Sequence, residues 1–386
     1  MSVNPAEILA LLVAILIVGF SRYLWRRYEE FESLSHPAAG ASSDPPLRVS
    51  VLVPARNEER NIRRCLSGLL NQTYSDYEII VVDDHSTDRT PEILREFARD
   101  PRLRVVLPPP LPPGWSGKCH ALWTGSRLAT GDWLFFLDAD TFARPELLAA
   151  AVAHAETHSL DIISLLPHQD LESLSEKIIQ PVVFTVLQIF LPPARANDPD
   201  DPMGHVVGQC FGVRRHVYEA VQGHKNNAVR ALTVDDAALG QVVKSAGYRL
   251  EIVNGRNLVH TRMYTDFGEI WNGWARVFIV GLGKRWLLLP AALLFSLATI
   301  AYLGLSVRVA PASGSGLAVA INGLTLLYLL FFFGLMRWKI GRIIGQPGWF
   351  AFTYPLGLMV VGGIAFTSMM RKLLGSGSEW KGRRYA

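Results

Sequence analysis

Asp132-Trp133-Leu134-Phe135-Phe136-Leu137-Asp138-Ala139-Asp140-Thr141 is the stretch on which the reading of the fold turns. Five consecutive apolar residues, Trp133 to Leu137, predict a short strand covered on both faces. The strand runs into two carboxylates separated by one alanine. Residues two apart in an extended chain point to the same side, so Asp138 and Asp140 can face one spot beyond the strand's C-terminal end. Oxygen ligands so placed suit a hard divalent cation, magnesium or manganese, which also takes phosphate oxygens. Open α/β sheets hold their ligands in that same region. A loop carrying two solvated acids is the plainer alternative.

The neighbouring sequence supplies the sheet. A strand is expected at 47–53 and a helix at 58–70. Then come strand 77–82, helix 91–99, strand 103–107, helix 118–129, strand 133–137, helix 145–157 and strand 161–166. This alternation predicts βαβ units and a mostly parallel sheet flanked by helices. After 166 the rhythm breaks. An apolar run, 178–191, contains Pro181 and stops at Pro192 and Pro193; it reads equally as a core helix or as one lying on a membrane. A strand at 205–213, helices at 214–222 and 235–246, and strands near 248–253 and 257–261 complete the unit.

The 386 residues are 49% hydrophobic and only 19% charged, a balance that leans toward a membrane protein. Net charge is +4, from 38 basic and 34 acidic residues, too mild to argue for nucleic acid. Cys65, Cys119 and Cys210 show neither a disulfide framework nor metal-finger spacing, which suits a reducing compartment. Residues 8–20 are continuously apolar, and Arg22, Arg26 and Arg27 follow. No cation precedes them, so an uncleaved anchor over 1–28 is expected, with the next domain cytoplasmic. Residues 29–46 read as a linker, 47–265 as the catalytic unit and 266–285 as an interfacial helix. Apolar stretches 286–307, 316–336 and 348–370 are each long enough to cross a bilayer, and 371–386 is a basic tail. Charge places Arg371, Lys372, Lys381, Arg383 and Arg384 inside, whereas four spans place them outside. Either the last stretch, with Pro355, Gly357, Gly362 and Gly363, bends back as a re-entrant hairpin, or the charge rule fails there. The location implied is a bacterial-type inner membrane, multi-pass.

Four further groups carry chemistry. The first strand ends in Pro54-Ala55-Arg56-Asn57-Glu58, where Asn57 and Glu58 either bond a base or ribose or open a helix, with Asn57 as its N-cap. The second ends in Asp83-Asp84-His85-Ser86-Thr87-Asp88. Asp84 can accept from a base N–H, and Asp88 can cap the helix that follows. Gly117-Lys118, after a proline-rich connector, suits a diphosphate at a helix start or is a surface lysine; it lacks P-loop spacing. Asp235-Asp236 heads a helix, and an adjacent pair exceeds what a helix end requires, so one acid can serve as a general base.

As an ordered set over 47 to about 265, these motifs resemble the family 2 glycosyltransferases of the GT-A fold. Pro113-Gly114-Trp115-Ser116-Gly117-Lys118, the Gly208-Gln209 strand and Trp380-Lys381-Gly382-Arg383-Arg384 resemble a narrower branch. It holds the hopanoid-biosynthesis-associated enzymes, with ceramide glucosyltransferases and carotenoid glycosyltransferases as relatives. The resemblance implies a GT-A type nucleotide-diphospho-sugar transferase fold with transmembrane helices, a nucleotide-diphosphate sugar donor, a lipid acceptor and a divalent cation. It implies donor contacts from Pro54, Ala55, Asn57, Glu58, Asp84, Gly117, Lys118 and Asp138. Asp84 reads the base and Asp138 meets the ribose or sugar. Asp138 and Asp140 hold the metal, and Asp236 is the base beside Asp235. The chain departs from the family in having Asp235 where Glu is usual. Trp271-Asn272-Gly273-Trp274-Ala275-Arg276 replaces the Gln-x-x-Arg-Trp of processive synthases, which argues against a polymerase. His260 is either another metal ligand or a satisfied strand-end histidine.

Overall fold

Trp133–Leu137 is a strand whose five residues are all buried, as a continuous apolar run requires of a central strand. In this computed structural model the described residues are 47–281, 346–374, 378–381 and 383–385, with scattered positions in 8–34 and 317–338. The expected span at 286–307 lies outside them, as do most of 1–28, part of 316–336 and nearly all of the 29–46 linker.

In chain order, the first half comprises β1 Val49–Ala55, α1 Ile62–Leu70, β2 Tyr77–Asp83, α2 Thr90–Phe97, β3 Leu103–Val106, α3 Gly117–Ser126, β4 Trp133–Leu137, β5 Thr141–Ala143, α4 Leu147–Thr157, β6 Ile162–Leu166 and β7 His168–Gln169. The second comprises α5 Leu174–Phe190, α6 Pro193–Asn197, β8 Cys210–Arg214, α7 Arg215–Ala220, α8 Asp235–Ser245, β9 Leu250–Asn254, β10 Val259–Thr261, α9 Phe267–Gly281, α10 Tyr354–Leu373, β11 Ser378–Trp380 and β12 Arg383–Tyr385.

The chain divides into two units. The larger, residues 31–171, 191–263 and 377–386, is built on a seven-stranded sheet ordered β3-β2-β1-β4-β8-β6-β9. Neighbours in it are parallel except β8, which runs antiparallel to both β4 and β6. Alternation of side chains along each strand divides the core in two. Val51, Val53, Ile79, Val81, Trp133 and Phe135 meet α1, α2 and α4. Leu52, Ile80, Val82, Leu134, Phe136 and Phe211 meet α3, α7 and α8. Both faces are therefore covered, as the sequence predicts for parallel strands. The chain runs outward through β1, β2 and β3, then returns to place β4 on the other side of β1. That reversal opens a crevice beyond the C-terminal ends of β1 and β4, the place where such sheets bind ligands.

Two elements differ from expectation. The strand expected over 205–213 begins only at Cys210. Residues 204–208 instead run against α8, where a Cβ on Gly204 would lie 2.6 Å from the Gly240 carbonyl oxygen and one on Gly208 2.5 Å from Asp236 Oδ2. Glycines permit that approach, and the backbone is drawn out of the sheet. A small second sheet, ordered β5-β10-β7, adds β5 and β7 to the expected strands; at two or three residues they carry no periodicity.

The other unit contains α5, α9 and α10. Residues 348–373 form a 3-10 turn, Gly348–Thr353, and then one unbroken helix of 20 residues. Gly357 of α10 lies against the Ile178 carbonyl, Gly363 against Trp271, and Ser368 Oγ donates to the Ala275 carbonyl at 2.6 Å. Leu356, Met359 and Phe366 of α10 are exposed. Residues 174–197 and 348–373 are long and apolar enough to cross a membrane.

Candidate active site

Lys118 joins the two acid pairs. It sits in the first turn of α3, whose N-cap Ser116 accepts the Cys119 N–H at 3.2 Å. Its ammonium lies 2.8 Å from Asp138 Oδ1, just past β4, and 3.7 Å from Asp235 Oδ1, at the head of α8. Carboxylates 97 positions apart in sequence thus meet on one cation. The surface-lysine alternative does not hold, for Lys118 is largely buried. Burial works against its charge, but Asp138, Asp235 and Asp236 outweigh burial and hold its pKa above the ordinary value.

The helix pair divides. Successive helical residues diverge by about 100° around the axis. Asp235 points inward and is 1% exposed. Its Oδ2 lies 3.0 Å from His224 Nε2, and His224 Nδ1 lies 2.8 Å from the Tyr218 hydroxyl. Burial raises the Asp235 pKa, but Lys118 and the His224 hydrogen bond prevail and bring it down to about 2. Asp236 lies against Gly208 instead. Burial, then the charge of Asp235, raises its pKa to about 6. One acid is a fixed anion, and the other takes up a proton near neutral pH.

The strand pair stays together. The Asp138 N–H donates to the Gln209 carbonyl at 3.1 Å. Burial, outweighing Lys118, raises the Asp138 pKa. Asp140 is raised to about 8, by burial first and then by Asp138 and Glu58. Thr141 Oγ1 and Thr261 Oγ1 stand 3.4 and 3.5 Å from Asp140 Oδ1, at the limit of hydrogen bonding. Two partly buried carboxylates, with Glu58 adding negative charge at Asp140, make a hard-oxygen set that fits a divalent cation.

The nucleotide-side residues gather at the ends of β1 and β2. Asn57 has a left-handed backbone, φ +53°, and does not cap α1, which begins at Ile62 behind Asn61. Its N–H donates to Ser86 Oγ at 2.9 Å and its Oδ1 accepts the Thr87 N–H at 2.8 Å. Asn57 thereby ties the β1 loop to the β2 loop. The Glu58 N–H donates to Thr90 Oγ1 at 2.8 Å. Asp88 accepts the Thr90 N–H at 2.9 Å and the Glu59 N–H at 3.1 Å, so it serves both the start of α2 and the first loop. Asp84 is buried, with its N–H on the Ala55 carbonyl at 2.8 Å. Pro54 and Ala55 are the last residues of β1, and Gly117 opens α3.

His260 faces away from this group along β10. Its Nδ1 lies 3.1 Å from Asp170 Oδ1, and Arg64 holds Asp170 Oδ2 at 2.7 Å. Sequence reasoning misses His224 and Tyr218. Both lie in a stretch without motif, and only their complete burial beneath Asp235 marks them.

Comparisons with known proteins bear on the family and the fold. Residues 50–222 match the sequence model of the glycosyl transferase family 2. The uncharacterized glycosyltransferase EpsJ of Bacillus subtilis (strain 168) is 37% identical over 116 residues, 30% of this chain. The chain spans about a third of that relative's length, 32%. The 4,4'-diaponeurosporenoate glycosyltransferase of Staphylococcus aureus (strain MRSA252) is 26% identical over 351 residues, 88% of each chain. Among solved structures, a mannosyltransferase from Pyrobaculum calidifontis in complex with GDP-Man and Mn2+ superposes with a TM-score of 0.56 at 18% identity, over 96% of this chain and 99% of that one. This likeness is one of fold, GT-A-like with a mostly parallel central sheet. Residues 50–222, from β1 to just past α7, thus carry the likeness to the glycosyl transferase family 2.

Proposed function

We propose that the protein is an inverting glycosyltransferase that moves a sugar from a nucleoside-diphosphate sugar to a hydroxyl of a membrane lipid. The observation that carries this reading is the Lys118 bridge, which sets a metal-type carboxylate pair and a base-type carboxylate pair around one cation. Asp138 and Asp140 are the residues to hold a divalent cation, whose role when bound is to offset charge on the leaving diphosphate. Lys118 supplies a fixed positive charge on the same side. Asp84 and the β1 loop bind the nucleoside. Asp236 removes the acceptor proton as that oxygen attacks the anomeric carbon from the face opposite the leaving group, which inverts the centre. Asp235, held by His224, keeps Asp236 oriented and raises its basicity.

The carotenoid glycosyltransferase relatives support a lipid acceptor of isoprenoid type, a hopanoid being one such lipid. The exposed apolar residues of α10, and the two segments long enough to span a bilayer, support membrane association, and the arginines that follow residues 8–20 support a cytoplasmic catalytic unit. Purified protein with Mn2+, a panel of nucleotide sugars and isoprenoid alcohols in detergent tests the reading. Transfer is expected from wild type and not from Asp236→Asn, while nucleotide binding is kept by both. Turnover by Asp236→Asn at the wild-type rate would reject the assignment.

A further inference from the structure

The basic end of the chain has no role in the chemistry described so far. Its last residues form a two-stranded hairpin, with Trp380 opposite Arg383, so the turn between them is two residues long. Two-residue hairpin turns demand left-handed backbone, and Lys381 supplies it at φ +48°. The hairpin belongs to the catalytic unit, and its tip rests on the β1 loop. Lys381 Nζ donates to the Asn57 carbonyl at 2.9 Å and to Glu58 Oε1 at 3.0 Å. Arg56 Nε donates to the Lys381 carbonyl at 3.1 Å, while its Nη1 donates to the carbonyls of Asp84 at 2.5 Å and His85 at 3.2 Å. One arginine therefore binds the ends of β1 and β2 to the tip of a hairpin at the far end of the chain.

A clasp alone would not need this design. Partly exposed lysine–glutamate pairs add little stability, and a non-glycine residue in left-handed backbone is unfavourable. The electrostatics of the site give the lysine a purpose. Glu58 adds negative charge at Asp140, and the Lys381 cation opposes it there. A donor diphosphate arriving there meets three carboxylates and needs cations on the protein side.

We propose that Lys381 is a donor-binding residue: the C-terminal hairpin lays its ammonium over the β1 loop, where it neutralises Glu58 and bonds the diphosphate of the nucleoside-diphosphate sugar. This rests on the donor reading above and adds the end of the chain to that site.

Binding measured on full-length protein with Mn2+ tests it, using UDP and GDP, the corresponding nucleosides without phosphate, and the variants Lys381→Met and Lys381→Arg. Lys381→Met is expected to weaken the preferred nucleoside diphosphate by about tenfold or more, the size of a charge-assisted hydrogen bond. Its affinity for the nucleoside should stay within about twofold, and Lys381→Arg should recover most of the loss. In turnover the donor KM rises and kcat changes little. Equal weakening of nucleoside and nucleoside diphosphate would mean that the hairpin only shapes the loop, and would overturn the proposal. So would a Lys381→Met variant that binds the diphosphate as wild type does, although the donor reading would then stand. Wild-type protein that binds neither nucleotide would overturn both.

Discussion

The two acid pairs of the site are alike in composition and opposite in behaviour. Asp138 and Asp140 follow a strand and are both pushed toward protonation, burial being the largest cause. Asp235 and Asp236 begin a helix, diverge, and are driven apart to about 2 and about 6. The first arrangement calls for a cation from outside. The second makes its own anion and leaves the neighbouring group as a proton acceptor, the pattern by which environments separate acid–base roles. Backbone geometry contributes to the difference: Asp138 and Asp140 sit in a tight turn closed by the Thr141 N–H on the Asp138 carbonyl at 3.0 Å, whereas adjacent positions on a helix separate. His224 completes it by fixing Asp235 from below.

The largest test of this contrast is Asp236→Asn. Loss of a general base costs about 10²–10⁴-fold in turnover, and product assays should find a fall in that range with nucleoside-diphosphate affinity, by calorimetry, unchanged. Asp140→Asn strikes the other pair. Turnover should fall by about 10²–10³-fold, the scale of losing one group that stabilises developing charge. The Mn2+ concentration needed for half-maximal activity should also rise; an unchanged metal requirement would break the contrast between the pairs. His224→Ala removes the partner of a buried carboxylate. Denaturant unfolding should show a loss of about 3 kcal/mol, typical of breaking a buried pair, with turnover down by about 10–100-fold if a supporting residue here behaves as one does at a metal site.

The smallest effect is in pH. A base works ionised, and the Asp236 pKa lies at about 6, above the ordinary carboxylate value. Activity should therefore decline as pH falls through about 6, roughly tenfold per unit below it for a single proton. An acid limb near 4 would show that Asp236 is not shielded as its burial implies.

Much of the site is legible in the amino-acid sequence. β4 matches its predicted bounds, 133–137, because five buried apolar residues between turns allow no other strand. Asp138 and Asp140 stand at its end as expected, but in a turn closed by the Thr141 N–H on the Asp138 carbonyl instead of in extended chain. The strand expected at 205–213 shows the converse. Its apolar content is correct, but two glycines let it rest against α8 instead of the sheet, and sequence does not reveal the helix to which a backbone will cling. Asn57 is expected at a base or a helix cap, yet its side chain holds the next loop, since a partner 30 positions away is invisible to local pattern.

By itself, then, the sequence determined the order of strands and helices, the doubly covered sheet and the residue types at the strand ends, because period, burial and turn chemistry are local properties. Tertiary structure alone decided which acids share Lys118, which member of each pair is restrained, and that the last residues of the chain return to the β1 loop. Those outcomes depend on charges brought together from distant positions, and a Coulomb interaction is set by separation in space, not by separation along the chain.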